Sequence, residues 1–250
     1  MSKIRLTTLA SEEELRNRKL LMDLYKTNPL PEEEVTANSA LFLKRQELSK
    51  ILFFNEIYQR VINLHGIIIE FGCRWGQNLV TFNNLRAIYE PYNYNRKIIG
   101  FDTFEGFKNI DLKDGSNKII EEGSLAVTKN YELYLEQLLI FHEKECPLSH
   151  IKKNKLLKGD ASVTLKKYLE ENPQTLIAFA WFDFDLYQPT WECLNLIKPH
   201  LIRGAIIGFD ELNDPKFPGE TLALKEFTDL NSLEIQRNKF SSMQSYFIFE

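Results

Sequence analysis

Five short apolar runs, rich in isoleucine and phenylalanine, recur between residues 67 and 209, and each is soon followed by glycine or aspartate. The runs cover residues 67–71, 97–101, 155–157, 176–182 and 205–209. Near-continuous apolar strands that alternate with helical segments are typical of a parallel sheet whose two faces are both covered. The sequence therefore predicts an α/β fold with a doubly wound, mostly parallel sheet.

Helical patterns precede these runs, and a pair of strands is expected to follow them. Ser11 and Glu14 form a capping-box pattern ahead of a first helix, and a second helical stretch is predicted over about residues 38–64. The apolar residues at helical spacing are Leu15, Leu20, Leu21 and Leu24 in the first helix and Leu41, Leu48, Ile51, Leu52, Ile57 and Val61 in the second. Residues 233–236 and 246–249 suit an antiparallel hairpin at one sheet edge. We therefore divide the chain into a helical extension, residues 1–64, and a domain, residues 65–250, with an insertion at about 103–153.

Composition and charge exclude several classes of protein. The 250 residues carry a formal net charge of −4, so no general attraction to nucleic acid or to an anionic membrane is expected. The three cysteines and four histidines are scattered, which argues against a disulfide framework and against a zinc site of Cys and His ligands. No signal-peptide pattern is evident, and no apolar run approaches the ~20 residues that span a bilayer. We expect a cytoplasmic protein.

Polar residues end the first two runs, at the sheet edge where doubly wound proteins bind ligands. In the segment Glu70-Phe-Gly-Cys-Arg-Trp-Gly76, Gly72 permits a tight turn and Gly76 permits close approach to a helix N-terminus. Asp102 ends the second run, where a carboxylate can accept hydrogen bonds from both hydroxyls of a ribose. The distance between these two signals exceeds the ~20 residues of the dinucleotide fingerprint, which counts against NAD.

Two further residues have a functional and a structural interpretation. Asp160, after the third run, either lies at the adenine of a nucleotide or caps the following helix, and the two roles are compatible. His142, in the insertion, could act as a base, but the adjacent Glu143, Lys144 and Glu145 favour a solvated helix end.

Four carboxylates follow the fourth and fifth runs. They are Asp183, Asp185, Asp210 and Glu211. Residues two apart in a strand point the same way, so Asp183 and Asp185 are expected to face one site. Four like charges so close together would raise one another's pKa values and destabilise the fold. A hard divalent cation relieves that repulsion, and an all-oxygen ligand set favours Mg²⁺ or Mn²⁺.

Taken together, four segments resemble the macrocin O-methyltransferase family. They are residues 66–76, residues 101–106, residues 183–187, and Asp210-Glu211 with Phe217-Pro218-Gly219 after it. The resemblance spans residues 60 to 230 in motif order, and the DTFEG and DFDLY segments are its most specific parts. Members of that family are class I S-adenosylmethionine-dependent, metal-dependent enzymes that methylate sugar hydroxyls. The resemblance therefore implies a Rossmann-like methyltransferase domain.

The same resemblance implies a cofactor role for six residues. They are Glu70, Gly72, Gly76, Asp102, Thr103 and Asp160. The first three match positions around the methionine part of S-adenosylmethionine. Asp102, with Thr103 beside it, matches the ribose position, and Asp160 matches a position near the adenine.

The resemblance also implies a catalytic centre. Asp183, Asp210 and Glu211 match the ligands of a divalent metal, with Mg²⁺ expected ahead of Mn²⁺, and Asp185 matches the general base. The chain departs from the family pattern at three places. Arg74-Trp75 replaces the usual Trp-Arg order, Glu211 replaces the usual aspartate, and no proline follows Phe107.

Other functions are open from the residues alone. A metal-dependent glycosyltransferase could use Asp183-Phe184-Asp185 against a nucleotide sugar, but it would leave the Glu70–Gly76 loop and Asp102 unexplained. A non-enzymatic binding module would not explain why four carboxylates converge. For a methyltransferase, the expected acceptor is a nucleotide-activated sugar or a surface-glycan (capsule) sugar such as a heptose. Self-association through the N-terminal helices is a further expectation.

Overall fold

A seven-stranded sheet lies at the centre of the structure, a computed structural model that describes residues 8–250. The strands are β1 (Ile67–Phe71), β2 (Ile98–Asp102), β3 (Asn154–Lys158), β4 (Ile177–Phe182), β5 (Leu201–Phe209), β6 (Gln236–Arg237) and β7 (Ser245–Ile248). They are ordered β3-β2-β1-β4-β5-β7-β6. The first five strands are parallel, whereas β7 runs antiparallel to β5 and β6 antiparallel to β7. The predicted α/β fold with a terminal antiparallel pair is confirmed.

Helices cover both faces of this sheet. The helices are α1 (Glu12–Lys26), α2 (Glu32–Val35), α3 (Arg45–Val61), α4 (Gln77–Tyr89), α5 (Tyr131–Lys144), α6 (Ala161–Glu171), α7 (Tyr187–Ile197) and α8 (Gly219–Phe227). Every residue of β1 and β4 is buried. Their alternate side chains enter two hydrophobic clusters, one shared with α3, α4 and α5 and the other with α6, α7 and α8. This two-sided burial explains why the strands read as continuous apolar runs.

The N-terminal helices differ in part from the prediction. The Ser11–Glu14 capping box is present, and no residue of α1 is buried. The predicted second helix is shorter than expected: a 3-10 turn occupies Ser39–Phe42, and α3 begins only at Arg45. Its buried face is formed by Phe53, Phe54, Ile57, Tyr58 and Val61.

Three leucines expected on that buried face are exposed. They are Leu41, Leu48 and Leu52. Phe53 and Phe54 of α3 pack into the cluster against the sheet instead. Self-association through the N-terminal helices stays a prediction.

The insertion between β2 and β3 contains α5 and a 3-10 turn at Leu112–Asp114. Leu135 of α5 is fully buried, and α5 is tied to α4 by a buried ion pair between Arg86 and Glu143 at 3.4 Å. None of the helices described between residues 8 and 250 has the length and apolarity needed to cross a membrane.

A buried arginine joins the end of α3 to the start of β1. Arg96 is 1% exposed, and its guanidinium donates to the carbonyl oxygens of Val61, Leu64 and Gly66 at 2.9, 2.7 and 2.6 Å. Its Nε donates to Glu90 Oε2 at 2.9 Å, so the charge is paired. These bonds satisfy carbonyl oxygens at the C-terminus of α3 and fix the direction from which the chain enters the sheet.

Replacing this arginine should destabilise the whole fold. We expect Arg96→Met to lower the free energy of unfolding by about 3–5 kcal/mol, because Glu90 then stays buried without its partner. Arg16→Met is the control, since Arg16 is exposed and lies 3.7 Å from an exposed Glu12; a change of about 0–1 kcal/mol is expected there. Urea denaturation of both variants measures the difference, and equal losses would contradict the structural role of Arg96.

Candidate active site

A cavity of about 570 Å³ opens at the carboxyl ends of the parallel strands. Eight of the ten predicted site residues line it: Gly72, Asp102, Thr103, Asp160, Asp183, Asp185, Asp210 and Glu211. Glu70 and Gly76 do not reach its wall. The edge where the sequence placed the site is thus the edge at which this cavity opens.

The first strand ends in a turn that only glycine can form. Gly72 has φ +85°, and a Cβ there would lie 1.9 Å from the carbonyl oxygen of Asp183. Gly76, with φ 75°, begins α4, and a Cβ there would lie within 2.3 Å of the Leu135 side chain. Both glycines therefore allow close packing, Gly72 against the segment that follows β4 and Gly76 against α5.

Glu70 lies beneath the cavity and is completely buried. Asn78 donates to its Oε1 at 2.7 Å, whereas Oε2 is buried with no hydrogen-bond partner. Burial, followed by repulsion from Asp183, raises the pKa of Glu70 well above its ordinary value. A buried carboxylate oxygen without a donor is a position that a ligand or a proton can complete.

Asp102 is held at the cavity by the backbone. Its two oxygens accept from the N–H groups of Arg74 at 2.6 Å and Phe104 at 2.5 Å. Burial raises the pKa of Asp102, and these backbone donors oppose that shift. Thr103 closes the following turn, because its hydroxyl donates to the carbonyl oxygen of Gly106 at 3.0 Å. The carboxylate is thereby oriented before any ligand binds.

Asp160 caps helix α6, which is the structural one of the two roles that the sequence predicted for it. Its Oδ1 accepts from the backbone N–H and the hydroxyl of Ser162 at 2.9 and 2.8 Å. Because the same residue borders the cavity, the cap and a ligand contact remain compatible.

Three carboxylates form a compact group at the ends of β4 and β5. Asp183, Asp185 and Glu211 each offer an oxygen that lies within 4.8 Å of the other two. The alternation of side chains along a strand does not determine where Asp185 points, because this residue lies beyond the end of β4. Its backbone is left-handed, with φ 61°, and its carboxylate lies close to that of Asp183. Among the residues described, this group leaves out Asp210, so it differs in one member from the predicted metal set.

The electrostatics of this group suit a divalent cation. Burial, followed by repulsion from Asp210, raises the pKa of Asp183 to about 8. Burial and the Asp185 carboxylate raise the pKa of Glu211 well above its ordinary value, and Glu211 Oε2 is buried with no hydrogen-bond partner. An all-oxygen donor set with an unpaired buried oxygen fits Mg²⁺ or Mn²⁺.

Glu220 is a site residue that sequence reasoning missed. It is completely buried, and its carboxylate accepts from the N–H groups of Phe184 at 3.0 Å and of Asp185 and Glu211 at 3.4 Å each. One side chain of α8 therefore holds both acidic loops in place. The available signal was its position directly after Phe217-Pro218-Gly219.

Lys50 is the second residue that was missed. It lines the cavity from α3, with its ammonium 3.3 Å from Asp210 Oδ1 and 3.5 Å from Asp183 Oδ2. Burial alone would lower the pKa of Lys50, but the Asp210 and Asp183 carboxylates raise it above its ordinary value. No local sequence pattern distinguishes this lysine from others in the helix.

Of the two remaining candidate residues, Arg74 lines the cavity and His142 does not. Arg74 lines the cavity with φ 46°, and its Nε is buried with no hydrogen-bond partner. His142 lies on α5, where its ring packs edge-on against Phe141, and it does not line the cavity. His142, which could have acted as a base, is therefore not among the residues of the candidate site.

Of three comparisons with known proteins, the one with solved structures finds similar proteins. No protein-family model matches the chain, and no curated protein matches it. Among solved structures, that of CalS11, a calicheamicin methyltransferase, is 38% identical over 99% of this chain and 97% of its own, with a TM-score of 0.94. The apo structure of CalS11, described as a TDP-rhamnose 3'-O-methyltransferase, is 37% identical over 96% of both chains, with a TM-score of 0.84. The O-methyltransferase NovP, at 17% identity over 80% of this chain and 79% of its own, shares the fold with a TM-score of 0.62.

The tight turn at Gly72 can be tested directly. We expect Gly72→Ala to lower the free energy of unfolding by about 2–5 kcal/mol, the sum of a left-handed backbone cost and steric overlap with the Asp183 carbonyl group. Gly123→Ala is the matched control, because Gly123 also has a positive φ of +77°, but a methyl group added there would have one neighbour, the Glu105 carbonyl oxygen at 4.0 Å. The control should lose only about 1–2 kcal/mol in urea denaturation. Similar losses in both variants would show that the contact with Asp183 is unimportant.

Proposed function

Because the chain belongs to the O-methyltransferase family of CalS11, we propose that it transfers a methyl group from S-adenosylmethionine to a hydroxyl of a nucleotide-activated sugar. The observation that carries the proposal is the carboxylate group Asp183, Asp185 and Glu211 beside a cavity bordered by Asp102 and Asp160. The acceptor class is supported by the description of CalS11 as a TDP-rhamnose 3'-O-methyltransferase. The glycosyltransferase alternative is set aside, since enzymes of this family transfer methyl groups.

The cofactor side of the cavity fits S-adenosylmethionine. Asp102, already oriented by two backbone donors, would accept the ribose hydroxyls, and Asp160 would lie near the adenine. Gly72 keeps its part of the wall free of side-chain atoms. We propose that Glu70, which lies beneath the cavity with an unpartnered Oε2, contributes its charge to binding of the methionine ammonium. When bound, the cofactor supplies an electrophilic methyl group on a sulfonium.

The acidic side fits a divalent cation. We propose Asp183, Asp210 and Glu211 as its ligands, the set that the family resemblance implies, although the compact group in the structure contains Asp185 in place of Asp210. Hydrogen bonds from the backbone of both acidic loops to Glu220 hold the two loops in position. A divalent cation held there would lower the pKa of an acceptor hydroxyl.

Asp185 is proposed as the general base. It lines the cavity next to Asp183, and its backbone N–H is held by Glu220 at 3.4 Å. Burial raises the pKa of Asp185 above the ordinary value, which makes its carboxylate a stronger base toward a sugar hydroxyl. As the hydroxyl oxygen attacks the methyl group, Asp185 takes the proton, and the fixed backbone limits the motion needed to do so.

The proposal is tested by methyl transfer to a set of acceptors. The enzyme, S-adenosylmethionine and Mg²⁺ are incubated with nucleotide-activated deoxysugars, with the corresponding free sugars and with heptose-containing glycans, and products are analysed by mass spectrometry. We expect a gain of one methyl group on the nucleotide-activated sugars. Transfer to glycans alone would overturn the acceptor class, and failure to bind S-adenosylhomocysteine in calorimetry would overturn the activity.

The role of Asp185 predicts a specific kinetic effect. Asp185→Asn should lower kcat by about 10²–10⁴, the usual contribution of a general base, while calorimetric affinity for S-adenosylhomocysteine stays nearly unchanged. Asp229→Asn, at an exposed cap outside the cavity, serves as the control and should keep full activity. A variant at position 185 with near-normal kcat would assign the base elsewhere.

A further inference from the structure

The carboxylate edge receives one cation from a distant part of the chain. Lys50 Nζ lies between Asp183 and Asp210, at 3.5 and 3.3 Å, and no other ion pair found within residues 8–250 reaches either aspartate. The lysine side chain is 24% exposed, and it forms part of the cavity wall. A positive charge thus occupies the space between two of the proposed metal ligands.

Aromatic packing fixes the position of this ammonium. Phe53 and Phe54, three and four residues after Lys50 on α3, pack edge-on against Trp181 with ring centroids 5.9 and 4.9 Å apart. Trp181 lies two residues before Asp183 at the end of β4. Because neighbours three and four apart share a helix face, the same contact that seats α3 on the sheet presents Lys50 to the carboxylates.

Asp210 has a second polar partner besides Lys50. Asp210 Oδ1 accepts from Gln244 Nε2 at 2.8 Å and faces Lys50, whereas Asp183, Asp185 and Glu211 form the compact group. Asp210 Oδ1 therefore already has two partners, the Lys50 ammonium and the Gln244 amide. A divalent cation that uses Asp210 must displace Lys50 from this oxygen.

We propose that Lys50 is a built-in counter-ion that competes with the divalent cation for Asp183 and Asp210. Without metal it neutralises part of the carboxylate charge, and with metal it moves away from Asp210 while its charge keeps metal affinity lower than the carboxylates alone would give. Lys50 is accordingly a positioning residue that makes the metal exchangeable. This inference rests on the metal site of the proposed function.

The test compares metal binding and stability in three variants. Lys50→Met removes the charge, Lys50→Arg keeps it, and Lys108→Met removes a lysine of the same cavity that pairs instead with Glu105 at 3.4 Å. Mn²⁺ affinity is measured by calorimetry at several pH values, so that proton competition for the carboxylates is accounted for in each variant. Thermal unfolding of each variant is recorded with chelator and with Mn²⁺.

We expect Lys50→Met to raise the affinity for Mn²⁺ and to lower the Tm in the presence of chelator. Lys50→Met should bind Mn²⁺ at least about tenfold more tightly, while its Tm in chelator falls by about 5 °C or more and recovers with Mn²⁺. Lys50→Arg and Lys108→Met should stay close to the wild type in both. If Lys50→Met does not fold in chelator, Lys50→Gln is titrated instead with the same expectation.

Each other outcome has a defined meaning. Weaker or unchanged Mn²⁺ binding in a folded Lys50→Met or Lys50→Gln protein would overturn the competition, because a merely structural lysine would weaken the site on removal. Absence of Mn²⁺ binding in the wild type would instead contradict the proposed metal site itself, which separates the two failures.

Discussion

Repulsion among buried carboxylates at one sheet edge is the constraint on which the rest of the site depends. Glu70, Asp183, Asp185, Asp210 and Glu211 all lie at the ends of β1, β4 and β5. The fold counters this repulsion with donors from separate elements: Asn78 from α4, Gln244 from the segment before β7, and the ammonium of Lys50 from α3. The compensating groups come from three elements that are distant in the sequence, so the charge balance of the site needs α3, α4 and the segment before β7 together.

The arrangement also shows how one acidic side chain can organise others without adding to their number at the cavity. Glu220 accepts hydrogen bonds from backbone N–H groups at the start of both acidic loops, and burial raises its own pKa well above the ordinary value. The Glu220 carboxylate thus serves as the hydrogen-bond acceptor for backbone N–H groups of the two acidic loops. These bonds hold the backbone at Asp185 and Glu211 in place.

Much of the fold and of the cavity lining follows from the sequence, because parallel strands buried on both faces leave continuous apolar runs and collect their end residues at one edge. Asp102 and Asp183 are found at that edge for this reason. The direction of Asp185 could not be predicted from strand alternation, since it depends on a left-handed residue beyond the strand. Lys50 was also beyond reach, because its place depends on how Phe54 packs against Trp181, a contact without a local signal.

The origin of Lys50 has a consequence for the order in which the molecule assembles. Lys50 precedes Asp183 by 133 positions and Asp210 by 160. Contacts between such distant segments form slowly, because a long loop must close before they contribute free energy. The charge balance of this sheet edge therefore depends on a contact of long range in the sequence, which is made only when α3 packs on the sheet.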